Sequence, residues 1–314
     1  MINISRYLKE RFCRDCKLSI RIFEEPYFFD RLILYDKIYK GTLQKYFRFA
    51  EEVEKYGGEQ KYLTEYNQVK DRAIEYIKES AAYQKFNTLD MQEFVVQNKN
   101  LPGKDIYSPQ NEKNQFISID MKKANFSALR HFDPSIVGGA NTWEEFIGKF
   151  TSSEHIKESK YIRQVIFGNC NCKRHITYEK YIMDNILTKL DSQFHLLNRV
   201  VFFSNDEIVL KVTDYTPNEQ RMFEKELAEF TAMETVPLRV ELFTLKKIGG
   251  INGYYKEKRD EEGIREVTFK GIDSYYAPFV FRKYLGEEVE ESDFVFVHEG
   301  ILAKFIEKIN IVIE

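Results

Sequence analysis

The sequence predicts an α+β fold, in which an antiparallel sheet with packed helices follows a helical region and precedes a β-rich one. Apolar side chains recur at three- and four-residue spacing in the first hundred residues. Short β-branched and aromatic runs follow, and they alternate with amphipathic stretches. Charged residues make up 31% of the chain and hydrophobic ones 43%, which is typical of a globular protein and not of a disordered one.

Two amphipathic helices are predicted in the N-terminal region. Residues 43–56 and 62–83 place apolar side chains on one face among Glu and Lys, and two glycines lie between them. The polar segment 97–113 contains two prolines and is predicted to be a loop that ends this region. The helices are also a possible binding surface for a protein partner.

The central region begins with a strand over residues 116–119 that ends at Asp120. Thr142 and Glu145 have the spacing of a capping box at the start of a helix. Further helices are predicted over 142–150, 153–167, 177–194 and 218–233, and further strands over 199–203 and 208–212.

The C-terminal region is predicted to contain three strands and a last helix. These elements divide the chain into a helical region, a central α+β core and a β-rich region, over 1–110, 111–235 and 236–314 respectively. The strands are predicted over 238–245, 253–256 and 266–269, and the helix over 301–309.

Composition excludes several classes of protein. The formal net charge is -3, so nucleic-acid binding would need a local basic face. The chain shows neither an apolar leader nor a run long enough to span a bilayer, and its four cysteines are too few for a disulfide framework. We therefore expect a cytoplasmic protein that does not enter membranes. Glycine-rich phosphate loops are lacking, which disfavours kinase, P-loop and dinucleotide-binding folds.

A predicted hairpin carries two adjacent acids. Residues 204–207 are the only residues between two β-rich runs, which places Asp206 and Glu207 at the tip. A carboxylate within a paired strand would lose several kcal/mol of hydration, so acids here must face water or a cation. An ordinary solvated turn is the alternative, because Asn and Asp both favour turns.

Asp120 adds a third acid from a distant strand. Two-metal phosphoryl transfer needs acids from separate strands to converge on ions about 3.5–4 Å apart. Magnesium prefers carboxylate oxygens to His or Cys. A strand that ends in Asp, together with a hairpin that carries an acid pair, therefore predicts a site for Mg²⁺ or Mn²⁺.

Three segments resemble polymerase motifs. Residues 117–129 resemble motif A of reverse transcriptases and other palm-bearing polymerases, where a strand-terminal Asp precedes a small residue and an aromatic. Residues 202–209 resemble motif C, most closely the Asp-Glu form of family A DNA polymerases. Residues 163–169 resemble motif B, a helix with a basic residue facing the triphosphate, although Arg replaces the usual Lys and the trailing Tyr-Gly is missing. The resemblance covers residues 114–213, in the order A, B, C.

This resemblance implies a polymerase-type palm with a thumb-like C-terminal region. It implies a template-directed nucleotidyltransferase, polymerase or primase-like, whose partners are a nucleic acid template-primer and nucleoside triphosphates. Asp120 and Asp206 would bind the metal ions and Glu207 would be an auxiliary catalytic acid. Arg163 and Lys122 would contact the nucleotide.

The resemblance also bears on the choice of sugar. Five residues after the motif A Asp, palms that make DNA usually place a bulky residue that excludes the ribose 2′-OH. Asn125 stands there, and palms that make RNA favour small polar residues, so ribonucleotides are expected to be accepted. A shift of one residue would put Phe126 there and reverse the expectation.

The lysines after motif C resemble those that contact the primer-template backbone in family B polymerases. The matching segments are 244–250, 254–258 and 269–272. A solvated face of a sheet is the alternative interpretation. The residues implied to contact nucleic acid are Lys246, Lys247, Lys256 and Lys270.

The cysteines form two close pairs, Cys13 with Cys16 and Cys170 with Cys172. They could bind a structural Zn²⁺ if the N-terminus packs against the end of the motif B helix. Four reduced thiols without metal are the alternative.

Two further functions stay open from the sequence. One is a degenerate palm that binds nucleic acid or a protein without catalysis. The other is a different two-metal phosphotransfer enzyme, such as a nuclease or a nucleotidyl cyclase.

Overall fold

The helices and strands occur in the mixed α+β order that the sequence predicts. The computed structural model describes residues 4–260, 263–307 and 309–313. The helices in this part are α1 Arg6–Asp15, α2 Tyr27–Ile38, α3 Thr42–Lys55, α4 Glu59–Glu79, α5 Ala81–Thr88, α6 Ala124–Phe132, α7 Trp143–Ile147, α8 Glu154–Glu158, α9 Lys160–Gly168, α10 Cys172–Phe194, α11 Pro217–Thr231 and α12 Ala277–Leu285. The strands are β1 Gln115–Met121, β2 Val200–Phe203, β3 Glu207–Lys211, β4 Leu238–Ile248, β5 Gly253–Asp260, β6 Gly263–Lys270, β7 Val295–His298 and β8 Ile301–Lys304.

The main sheet is antiparallel and has the strand order β2-β3-β1-β4-β5-β6. β1 lies inside the sheet, between β3 and β4. Its register places Asp120 opposite Glu207 on one side and opposite Arg239 on the other. The prediction of an antiparallel sheet with packed helices is confirmed, and the two acid-bearing segments are neighbouring strands.

The two faces of the sheet are covered differently. Side chains alternate along a strand, so Ile117 and Ile119 enter the main core, on the face against which α10 and α11 pack. Phe116 enters a smaller cluster on the opposite face, together with Ile106 and Tyr254. That second face also carries Asp120 and is covered in part by a loop, which leaves room for a site.

The main core joins all three predicted parts of the chain. Its buried members run from Ile4 in the N-terminal region to Ile311 near the C-terminus. The helical character of the first hundred residues is confirmed. The domain boundaries stay a prediction.

Three predicted elements are wrong. The helix predicted over 62–83 is divided at Ser80, which has extended backbone geometry and separates α4 from α5. The helix predicted over 153–167 is two helices, because Ser159 interrupts it and its Oγ accepts the Ile162 N–H (3.0 Å) at the start of α9. The helix predicted over 301–309 begins instead as strand β8, paired with β7. Glu299 and Gly300 both have positive φ (49° and 82°), the geometry of a two-residue hairpin turn, and this turn decides between strand and helix.

Within the described residues, none of the helices combines the length and the apolar character needed to cross a bilayer.

Candidate functional site

Two acids from distant segments, Asp120 and Glu207, are cross-strand partners at one end of the sheet, and Asp206 precedes Glu207 in the hairpin without lining the cavity that those two acids share. Asp120 is near the end of β1, and Glu207 is its direct partner at the start of β3. The Met121 N–H donates to the Asp206 carbonyl oxygen (2.8 Å), which fixes the hairpin tip against β1. The sequence analysis expected acids from these two segments to converge, and the segments are neighbouring strands.

Ser204 organises the hairpin tip. The Ser204 hydroxyl donates to Asp206 Oδ1 (3.0 Å) and accepts the Glu207 N–H (3.0 Å), while the Ser204 N–H donates to the Glu207 carbonyl oxygen (2.9 Å). Glu207 is therefore the first residue of β3. The sequence analysis had placed it at the tip of the hairpin, and that placement is wrong. Its side chain points along the strand pleat toward the face that carries Asp120.

Basic and hydroxyl groups surround these carboxylates. Arg239 Nη2 lies 3.1 Å from Asp120 Oδ2. The Ser118 hydroxyl donates to Glu207 Oε1 (2.6 Å), and Lys256 Nζ lies 3.7 Å from the same oxygen. Asp120 and Glu207 thus each have a positive charge nearby, whereas the Asp206 carboxylate is bonded to the Ser204 hydroxyl.

Asp120 keeps its proton more readily than an ordinary aspartate. Burial raises its pKa to about 6, with Glu207 and Asp206 adding to the rise and Arg239 opposing it. The carboxyl therefore changes charge in the mildly acidic range. A second cation near it would favour the ionised form.

Alternating charges continue across β4, β5 and β6. Arg239 Nε lies 3.4 Å from Glu241 Oε2, and Lys258 contacts Glu241 and also Glu266 (2.9 Å). The alternation of apolar and charged residues over 238–242 was the sequence signal for this face, since every second residue of a strand points the same way. The network orients Arg239 toward Asp120.

A cavity of about 350 Å³ opens above these groups on the second face of the sheet. Loop residues 105–107 form one wall. The charged side chains that line it are Asp105, Asp120, Lys160, Glu207, Arg239, Glu241, Lys256, Lys258, Glu266 and Lys270.

Lys160 is a lining residue that the sequence did not predict. It is the first residue of α9, one helical turn before Arg163. Burial lowers its pKa, as do the charges of Arg163, Lys17 and Lys270, while Asp120 opposes the change. Arg163 is half-buried beside Lys160 and is not among the residues that line the cavity. The three- to four-residue periodicity of a helix was the available signal, because it places both side chains on one face.

Phe126 does not face the cavity. Its side chain is 3% exposed and packs against Trp143 and Phe146, with ring centroids 6.5 and 6.4 Å away. Lys122 is exposed in the turn that follows β1.

Glu179 joins Asn125 to the hairpin. The Asn125 Nδ2 group donates to one carboxylate oxygen of Glu179 (2.8 Å), and Asn205 Nδ2 donates to the other (2.5 Å). Glu179 is 1% exposed, and burial raises its pKa to about 7, with Asp206 adding to the rise and the two amides opposing it. Asn125 is held with its amide nitrogen engaged, which leaves its carbonyl oxygen as an acceptor.

Lys180, next to Glu179 on α10, fixes the backbone of the same hairpin. Its ammonium group donates to the carbonyl oxygens of Phe203 (2.8 Å) and Ser204 (3.1 Å). Burial lowers the pKa of Lys180 to about 8. Sequence reasoning missed both residues because an amphipathic helix pattern does not reveal which charged side chain turns inward.

The four predicted nucleic-acid lysines do not share one location. Lys256 and Lys270 line the carboxylate cavity, and Lys247 lies on the same face, opposite Tyr254. Lys246 lies on the other face, with its Nζ 2.9 Å from Glu257 Oε2. The structure thus brings Lys256 and Lys270 to the acids and keeps Lys246 away from them.

Comparison with known proteins identifies no relative. No protein-family model, curated protein or solved structure matches the chain significantly. The functional conclusions below rest on the residues and their geometry.

The cysteines are free thiols. Cys13 and Cys170 are buried, and burial raises the pKa of both thiols, to about 11 for Cys170. Cys16 is partly buried and Cys172 is exposed. Zinc binding stays a prediction.

Among the residues that the structure describes, no group of three or more His, Cys, Asp and Glu side chains is arranged to hold a metal ion. At the acids, Arg239 and Lys256 stand beside Asp120 and Glu207. The donor set is nevertheless all carboxylate, which is the chemistry that suits Mg²⁺ and Mn²⁺.

Proposed function

We propose that the chain is a template-directed nucleotidyltransferase whose catalytic carboxylates are Asp120, Asp206 and Glu207. The observation that carries this proposal is the pairing of β1 with β3. The segments that resemble motifs A and C are neighbouring strands, and Asp120 and Glu207 are direct partners. This arrangement supports a palm, because palm chemistry needs acids from these two segments at the same end of the sheet.

Divalent cations would be held by Asp120 and Asp206, with Glu207 beside them. Such ions polarise a phosphoryl oxygen and activate an attacking hydroxyl group. In the structure, Arg239 and Lys256 neutralise Asp120 and Glu207. A bound cation would replace Arg239 and Lys256 as the partner of the two acids. These basic groups could then contact phosphate.

The nucleic acid and the triphosphate would enter the cavity above the acids. Lys160, Lys256 and Lys270 line it and would contact phosphate oxygens. Arg163 would add positive charge one helical turn behind Lys160. Such contacts weaken as the salt concentration rises.

We assign the sugar contact to Asn125 and not to Phe126. Phe126 is in the core. Asn125 does not line the carboxylate cavity, but it lies partly exposed beside the hairpin, where its amide nitrogen donates to Glu179 and leaves its carbonyl oxygen as an acceptor. That oxygen can accept a hydrogen bond from a ribose 2′-OH. Asn125→Tyr should lower the ratio of ribonucleotide to deoxynucleotide incorporation by about tenfold, equivalent to about 1.4 kcal/mol. Phe126→Leu is the matched control, and an equal change of this ratio in that variant would contradict the assignment.

Incorporation of labelled nucleoside triphosphates on primed DNA and RNA templates, with Mg²⁺ or Mn²⁺, tests the proposed activity. Asp120→Asn and Asp206→Asn should each lower kcat by about a hundredfold or more, because the charge that holds the ions is lost. Asp214→Asn is the control, since Asp214 follows β3 but is exposed and paired with Arg199. Full activity of the two site variants would refute the assignment.

A palm that binds nucleic acid without catalysis is the second candidate. The ion pairs at Asp120 and Glu207 favour it, since both acids already have a partner in the protein. It predicts no incorporation on any template, together with salt-dependent nucleic-acid binding that Lys256→Gln weakens.

A further inference from the structure

A second cavity, of about 500 Å³, lies between the N-terminal helices and β6. Its lining includes four lysines, Lys17, Lys40, Lys45 and Lys270. Among the described residues that line it, there is no Asp or Glu. A concave space with four cations and no acid attracts anions strongly, because field lines concentrate in a cleft of one sign.

The lysines of this cavity have few partners in the protein. Lys45 Nζ lies 3.7 Å from Glu158 Oε2, and Lys17 Nζ lies 5.5 Å from the centre of the Tyr161 ring. Lys40 and Lys270 form no ion pair with any residue that the structure describes. Most of the positive charge is therefore available to a ligand.

The floor of the cavity consists of buried aromatic side chains and hydrogen-bonded hydroxyl groups. Tyr35 and Phe281 are buried and pack edge to face, with centroids 4.9 Å apart. The hydroxyl groups of Ser19 and Tyr35 are 2.5 Å apart, and the Thr42 hydroxyl donates to the Tyr39 carbonyl oxygen (2.6 Å). A ligand would thus meet packed rings and hydrogen-bonded hydroxyl groups at the floor of the cavity and exposed ammonium groups at its rim.

We propose that this cavity binds a compact polyphosphate, either inorganic or as the phosphate chain of a nucleotide. A volume of 500 Å³ corresponds to a cube about 8 Å on a side. Each strand of a nucleic-acid duplex has one charge per 3.4 Å of axis. A strand would therefore place about two phosphates within the roughly 8 Å width of the cavity. A triphosphate concentrates about four negative charges there, which matches the four lysines.

The polyphosphate cavity adjoins the carboxylate cavity but is separate from it. Thr268 and Lys270 line both. Lys17 and Lys270 also lower the pKa of Lys160 in the carboxylate cavity, so the positive field extends from one cavity to the other. Binding of a polyphosphate requires no turnover, and the inference therefore does not depend on the proposed function.

Calorimetric titration of the full chain with inorganic triphosphate, at low salt and without divalent metal, tests the proposal. The wild type should bind, with an affinity that falls as salt is added. Lys40→Gln and Lys45→Gln should each weaken binding about tenfold, as expected for the loss of a charge-assisted contact. Lys99→Gln removes an exposed lysine outside the cavity, and it should bind like the wild type.

Three results would overturn the proposal. They are failure of the wild type to bind triphosphate, equal weakening in Lys40→Gln and Lys99→Gln, and displacement of triphosphate by a single-stranded oligonucleotide that binds more tightly. Titration with a nucleoside triphosphate distinguishes a nucleotide ligand from an inorganic polyphosphate. Tighter binding than inorganic triphosphate would indicate a nucleotide, and equal binding an inorganic chain.

Discussion

Asp120 is stabilised in its neutral form by the fold. Its pKa in the folded protein is about 6, above the ordinary value near 3.8, chiefly because it is buried. The folded chain thus holds this proton to higher pH than the unfolded chain does, so ionisation lowers stability as pH rises through about 6. The loss is absent below the ordinary pKa, where both states are protonated.

Asp120→Asn should therefore raise the free energy of unfolding at about pH 8 by about 1–2 kcal/mol, after allowance for the lost contact with Arg239. Urea unfolding at about pH 8 and about pH 4 measures it, and the gain should vanish at the lower pH. Asp71→Asn is the control, since Asp71 is exposed. A loss of stability at about pH 8 would contradict the account.

Arg239 sets the pH at which Asp120 ionises. Its guanidinium group lowers the pKa of Asp120 against the effect of burial, so its removal should raise that pKa further. For the proposed nucleotide incorporation, the acid limb of the pH profile of kcat/KM should move up by about one unit in Arg239→Gln. Arg221→Gln, an exposed change on α11, should leave the profile in place. An unchanged acid limb in Arg239→Gln would show that Asp120 does not control it.

Single residues differ in how far the sequence reveals them. That Asp120 and Asp206 bind metal ions stays a prediction. Both were recognisable as candidates because each lies at or shortly after the end of an apolar run, where an acid is conspicuous. Glu179 and Arg239 were not, because their importance arises from partners far along the chain. Glu179 meets Asn125 across 54 residues, and Arg239 meets Asp120 across 119.

At the scale of elements, hydrogen bonds to Asp15 connect α1 to three other helical segments. Its buried carboxylate accepts hydrogen bonds from Tyr66 on α4 (2.8 Å) and Ser159 before α9 (2.9 Å), and His155 Nε2 on α8 lies 3.0 Å from it. Asp15→Ala would leave these groups buried without their partner. We expect a loss of about 3 kcal/mol in the free energy of unfolding.

Denaturant unfolding of Asp15→Ala beside Asp71→Ala checks this expectation. Hydrogen exchange should also show faster opening of α9, because Ser159 caps that helix. If Asp15→Ala lost no more stability than Asp71→Ala, the hydrogen bonds to Asp15 would not contribute measurably to the stability of the fold.

Elements were predicted best where one period governs a long stretch. α10 and α11 follow helical spacing, and the hairpin of β2 and β3 follows from two β-rich runs with a short turn. Breaks within a helical pattern were harder to predict. At Ser159, which separates α8 from α9, the hydroxyl group caps the start of α9 and the sequence period does not change. The run Ile301–Lys304 suits a strand or a helix by composition, and only the preceding turn selects the strand.

At the scale of the whole molecule, Asp293 connects the C-terminal region to helix α2 of the N-terminal region. Its fully buried carboxylate pairs with Arg31 on α2 (2.7 Å) and Arg282 on α12 (3.2 Å). Asp293→Ala would leave two buried guanidinium groups without this partner. The free energy of unfolding should fall by about 3–5 kcal/mol.

The matched control is Glu291→Ala, two residues away in the same turn but 88% exposed. It should change stability by less than about 0.5 kcal/mol. Limited proteolysis should cut the C-terminal region of Asp293→Ala faster than that of the control. Equal rates of cleavage in the two variants would contradict the role of Asp293.

The sequence predicted the α+β class of the fold, but it did not predict the order of the strands in the sheet. Periodicity indicated an α+β chain with its strands after residue 110, which the structure confirms. It could not show that β1 would lie between β3 and β4, since that order depends on which apolar faces meet. The cavity lined by Lys17 and Lys270 was unpredictable for the same reason.

The central position of β1 has a consequence for synthesis on the ribosome. β1 emerges before both of its neighbours, and its partner Arg239 on β4 follows Asp120 by 119 residues. At about 5–20 residues per second, β1 waits about 6–24 seconds with an unpaired edge. An exposed edge of this kind invites pairing with other chains, so slower translation or chaperone depletion should increase aggregation before the carboxylates ever meet.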